Sequence, residues 1–128
     1  MTSKLTFEEM YKVIQDYHGA LGHCRVFDTE LQRFQAIRNK SLALMMEVAE
    51  LVDSLPWKPW REIEDQPYDL DNAKREIVDI IFFLVGICED LAIEPEDIEE
   101  KFFQVFHNNQ KRIASGYNKI DFDRKEVI

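Results

Sequence analysis

Apolar and polar positions alternate along this chain mostly with a helical period. Thr6-Phe7-Glu8-Glu9 has the form of a capping box, and Phe7, Met10, Tyr11, Ile14 and Tyr17 follow at helical spacing. A first helix of about three to four turns is therefore predicted, ending near Gly19 and Gly22. Asp28 or Thr29 can cap a short helical segment carrying Leu31, Phe34 and Ile37, which leads into a strongly apolar stretch from Ser41 to Leu55. At 100° per residue Ala43, Glu47, Glu50 and Ser54 share one narrow sector, while Leu44, Met45, Val48, Leu51 and Val52 take the broad opposite face. An apolar surface extending so far around predicts a helix buried on most sides.

Pro56-Trp57-Lys58-Pro59-Trp60-Arg61 stops that helix, because neither proline can continue it. Asp71 is a candidate N-cap for a helix running to about Leu91. Its centre is rich in β-branched and aromatic residues, as a buried strand would be, but a proline-free span of about twenty residues is too long for a strand. Gly86 marks a point of close helix packing. Pro95 opens a last helix whose acidic first turn suits the positive helix end; Ile98, Phe102, Val105 and Phe106 form its stripe, and Ser115-Gly116-Tyr117 closes it. The expected fold is all-α, a four- to five-helix bundle forming a single domain over residues 1–117, with a C-terminal tail over 118–128. Phe102, Phe103 and Phe106 read as core or dimer interface, and the apolar surface left on so short a bundle predicts a homodimer or homotetramer.

What sets this pattern apart is the position of its acids. Glu47 and Glu50 are spaced i, i+3 inside one apolar helix, and Glu76 and Asp79 have the same spacing inside another. Ionised carboxylates gathered in apolar surroundings repel one another and are costly to desolvate, so convergence of the four calls for bound cations. His18, His23 and His107 lie far from both pairs, which argues against the Glu-x-x-His sites of di-iron bundles. An all-oxygen donor set suits Mg²⁺, with Mn²⁺ able to substitute, and Mg²⁺ is commonly shared with substrate phosphates. A nucleotide polyphosphate is the natural substrate of such a site.

Composition narrows the classes further. The formal net charge of −9 speaks against a sequence-independent hold on a nucleic-acid backbone. The first residues contain no hydrophobic signal region, and the apolar run over residues 77–88 is too short to span a bilayer, so a cytoplasmic protein without membrane partners is expected. Cys24 and Cys88 have no ligand or redox spacing and read as free thiols.

Glu47-Val48-Ala49-Glu50, an interval of about twenty-five residues, and Glu76-Ile77-Val78-Asp79 resemble the ExxE and ExxD pattern of the all-α nucleoside triphosphate pyrophosphohydrolases, the superfamily of MazG-like enzymes, dimeric dUTPases and dCTP pyrophosphatases. The likeness runs from about Arg38 to Tyr117, and Trp57-Lys58-Pro59-Trp60 is similar to the aromatic corner of dimeric dUTPases. The resemblance implies a Mg²⁺-dependent enzyme of nucleotide-pool sanitation that converts a nucleoside triphosphate to the monophosphate and pyrophosphate. It implies Glu47, Glu50, Glu76 and Asp79 as metal ligands, with Glu47 or Glu50 also orienting the attacking water. dUTP or another pyrimidine deoxynucleotide is the expected substrate, with dCTP, a modified nucleotide or a broad range as the alternative. The family's Lys-x-x-x-Asn spacing is not reproduced in the last helix. Candidates for phosphate binding are Asn109 or its neighbour Asn108, Lys111 and Arg112, together with Lys58, Lys74 and Arg75. Lys111 and Arg112 are equally explained as partners of the helix C-terminus. Trp57 and Trp60 fit either a nucleobase platform or a hydrophobic plug. From another class, the same helices fit a non-catalytic dimerisation or regulatory module.

Overall fold

The computed structural model describes residues 4–23 and 26–116, and among these it is all-helical, without a strand. Four α-helices follow in order: α1 (Phe7–Ala20), α2 (Glu30–Asp53), α3 (Leu70–Asp90) and α4 (Pro95–Ala114). A single 3-10 turn, Ile63–Asp65, lies in the connection between α2 and α3. The chain divides into two compact units, Met1–Glu94 and Pro95–Ile128. The tail beyond residue 116 and Cys24 lie outside the described residues.

Local chemistry sets the helix ends. The Thr6 hydroxyl accepts the Glu9 amide at 3.1 Å, and Thr29 does the same for the Gln32 amide at 3.1 Å, so both predicted threonine caps form. The segment after Thr29 is not a separate short helix: α2 runs unbroken through Arg38-Asn39-Lys40 to Asp53. α3 is capped by Asp69, whose carboxylate accepts the Asn72 amide at 3.0 Å, and not by Asp71. Asp71 instead lies in the first turn and pairs with Arg75 at 2.8 Å. Both aspartates suit a helix start; the backbone hydrogen bond from Asp69 to the Ser54 carbonyl fixes which is used.

Within the first unit α3 is the common element, packed along α2 and more briefly against α1. Tyr11, Ile14 and Val85 form the buried centre, with Met10, Ile81, Phe82 and Cys88 packed around them. The Tyr11 hydroxyl donates to the Ile93 carbonyl at 2.7 Å, which ties α1 to the end of α3. Burial of α2 departs from expectation. None of its residues is fully buried, and Met45 and Met46 are 66% and 62% exposed. Of the broad apolar face, Leu44 and Leu51 are partly buried, while Met45, Val48 and Val52 stay exposed.

A hydrogen bond and an ion pair brace the far end of α3. His18 Nδ1 lies 2.6 Å from Glu89 Oε1, and Lys40 pairs with the buried Asp90. The Lys40 stem crosses Gly86, where an added Cβ would meet its Cδ at 3.3 Å and His18 Cε1 at 3.5 Å. That is the close packing predicted for this glycine. In the second unit, α4 begins at Pro95, carries Phe102 stacked with Phe106 at 6.5 Å, and is followed by Gly116 at φ +98.

Ala92, just past α3, has φ 55, a left-handed conformation that costs an L-residue roughly 1–2 kcal/mol. Ala92→Gly is expected to raise stability by about 0.5–1 kcal/mol, read as a higher urea midpoint with unchanged slope; a lower midpoint would show that the alanine methyl matters more than the backbone strain.

Candidate metal and nucleotide site

The face of α2 that meets α3 presents Glu47 and Glu50, and the facing side of α3 presents Glu76. One carboxylate oxygen from each of these three lies within 4.8 Å of the others. Glu76 is 8% exposed, Glu47 is half-buried and Glu50 is open to solvent. Oε2 of Glu47 and Oε2 of Glu76 are buried without a hydrogen-bond partner among the described residues. An ionised carboxylate can only accept, so Glu47 and Glu76 cannot satisfy each other without a cation or a proton between them.

The electrostatics agree. Glu47 is pushed up from 4.5 to about 7, first by hydrogen bonding with Glu76, then by burial, and further by the charges of Glu50, Glu76 and Asp79. A proton on Glu47 provides the missing donor between the two carboxylates. A divalent cation satisfies the same oxygens without one, and an all-carboxylate set suits a hard ion such as Mg²⁺ or Mn²⁺. The residues therefore fit such an ion.

Asp79 does not join the three. It is exposed and, with Glu47, lines a neighbouring cavity of about 410 Å³. Tyr17 and His18 of α1 and Phe82 and Phe83 of α3 form much of its wall, with Leu21 and His23. By spacing alone Tyr17 belongs to an apolar stripe and the histidines are remote from the acids. His18 reaches the cavity because α1 lies against α3, a contact that a one-dimensional spacing does not reveal.

On the other side of the acids, Glu50 and Glu76 line a cavity of about 380 Å³ with Asp53, Ser54, Pro67, Asp69 and Asn72. Asp53 also borders the tryptophan corner, where its carboxylate accepts the Trp57 indole N–H at 3.1 Å. Trp57 and Trp60 meet edge to face at 5.5 Å, and Lys58 Nζ lies 5.9 Å from the centre of a Trp57 ring. Gln66 staples this corner, accepting the Lys58 amide and donating to its carbonyl, both at 2.8 Å. Lys74 and Arg75 line a shallow hollow with Asp79. Asn109, Lys111 and Arg112 lie late in α4, in the second unit.

Comparison with known proteins gives one family. The family described as dUTPase matches residues 12–87, more than half of the chain and a span that includes every residue of the acid cluster. No curated protein and no solved structure matches the chain.

Glu47 binds its proton more tightly in the folded chain than in the unfolded one. Its contribution to the metal-free fold is therefore fully present below about pH 4.5 and is lost as pH rises through about 7. In EDTA, melts are expected to show this loss between pH 5 and 8, and Glu47→Gln to flatten it. An unchanged pH profile in the variant would show that Glu47 is not the titrating group.

Proposed function

The chain belongs to the dUTPase family, and from that membership we propose a divalent-cation-dependent nucleoside triphosphate pyrophosphohydrolase whose substrate is dUTP or another pyrimidine deoxynucleotide. The observation that carries this reading is the convergence of Glu47, Glu50 and Glu76 with two buried carboxylate oxygens unpartnered among the described residues. Glu47, Glu50 and Glu76 would hold the cation, and Asp79, which lines a cavity with Glu47, would be the fourth acid available to it. A divalent ion held there would supply neutralisation of the triphosphate and polarisation of the attacked phosphorus.

The chain's own side chains do the rest. Glu47 or Glu50 orients the attacking water and takes its proton. As the water oxygen bonds to phosphorus, the anhydride between the α- and β-phosphates breaks, and monophosphate and pyrophosphate leave. Lys74, on the hollow shared with Asp79, is placed to meet phosphate oxygens, with Arg75 beside it engaged by Asp71. The base occupies the aromatic cavity of Tyr17, His18, Phe82 and Phe83, because Glu47 and Asp79 form part of the same wall. Trp57 and Trp60 then act as the plug of the α2–α3 connection. The exposed apolar face of α2, with Met45, Met46 and Val52, supports self-association as a homodimer.

A pyrophosphate-release assay over a panel of canonical and modified dNTPs tests the class. Turnover of a pyrimidine deoxynucleotide with Mg²⁺ is expected, reduced roughly 10²–10⁴-fold by Glu76→Gln or Asp79→Asn with helical circular dichroism retained. Full activity in both variants removes the assignment. Placement of the base is tested separately: Phe82→Ala is expected to raise KM several-fold while Trp60→Ala leaves it within about twofold, and the reverse pattern would move the base to the tryptophan corner.

A further inference from the structure

Ser54 and Asn72 do more than end one helix and begin another. The Asn72 side chain donates from Nδ2 to Ser54 Oγ at 2.7 Å, and its backbone N–H donates to the Asp69 carboxylate at 3.0 Å. The Asp69 N–H in turn donates to the Ser54 carbonyl at 2.8 Å. The three residues thus form a closed hydrogen-bonded ring joining the last turn of α2 to the first turn of α3. Ser54 Oγ also donates to the Glu50 carbonyl at 3.1 Å, and Ser54 is only 4% exposed. A bond so screened from water is stronger than its solvated equivalent.

The ring's position gives it a further role. Ser54 follows Glu50 by one helical turn and Asn72 precedes Glu76 by one turn, so each lies on the same helix face as its acid. All four residues line the same cavity. Repulsion between Glu50, Glu47 and Glu76 tends to part α2 from α3 at this level. The core of Tyr11, Ile14 and Val85 joins α1 to α3 and does not bridge this end. The Lys40–Asp90 pair ties α2 to α3 at the other end.

We infer that Ser54 and Asn72 are positioning residues for the divalent-cation site, holding Glu50 and Glu76 at a separation the ion can bridge. This rests on the proposed cation site. Removing the Ser54–Asn72 bond leaves the carboxylates in place but lets their separation vary, so the cost falls on cation affinity as well as on folding. Outer hydrogen bonds that orient metal ligands commonly contribute 10–100-fold to affinity.

The test is Mn²⁺ titration of the full chain by calorimetry or by the free-ion resonance signal, with melts in EDTA on the same samples. Ser54→Thr and Ser54→Val fill nearly the same volume and differ in the hydroxyl. Thr is expected to hold Mn²⁺ within about threefold of the unsubstituted chain, and Val and Asn72→Ala to weaken it roughly tenfold or more. The Asn72→Ala change combined with Ser54→Val is expected to cost little more than either alone, as for two ends of one bond. Equal Mn²⁺ affinity in the Thr and Val variants, whatever their melting temperatures, would overturn the inference and leave the cation site standing. Failure of the unsubstituted chain to bind Mn²⁺ would overturn both.

Discussion

Antiparallel packing of α2 on α3 brings like charges face to face, and the arrangement of the first unit follows from containing them. Glu50 lies across from Glu76, with Ser54 across from Asn72 on one side and Lys40 across from Gly86 on the other. Two ionised carboxylates about 5 Å apart repel by on the order of 1–4 kcal/mol, depending on how much water separates them. A single hydrogen bond returns about 1 kcal/mol. Three mutually close acids therefore exceed what one cross-link can offset. Ties at both ends of the helix pair, and an ion or a proton at its middle, answer that imbalance.

Much of this was legible in the sequence because it is local. The helix periods, the Thr6 and Thr29 caps, the close approach at Gly86 and the shared sector of Glu47, Glu50 and Ser54 all follow from spacing within one element. What escaped depends on partners distant along the chain. His18 meets Glu89, Lys40 meets Asp90, and Asn72 meets Ser54 only after the helices pack. No periodicity distinguishes Asp69 from Asp71 as the α3 cap, since a backbone bond to Ser54 decides between them. The exposure of Met45 and Met46 on α2 is hidden for the same reason: an apolar face signals the need for a cover, but not where that cover lies.

α1 contributes to the site without carrying any of its acids. Tyr11 and Ile14 dock it on α3, and the next turn then delivers Tyr17 and His18 to the cavity beside Glu47 and Asp79. The acid cluster and the aromatic cavity wall thus come from different helix pairs, α2 with α3 for the first and chiefly α1 with α3 for the second. Substitutions in α1 can alter the cavity wall while the carboxylates keep their positions.

The proton on Glu47 also changes how the charge of the chain is to be counted. A formal value of −9 takes every carboxylate as ionised, yet a group titrating at about 7 is half neutral at that pH. Uptake of the proposed cation by the acid cluster near neutral pH would then be an exchange, with protons leaving as the ion enters. The heat of that binding would contain the heat of ionising the buffer, and it would differ between two buffers of the same pH even though the affinity did not.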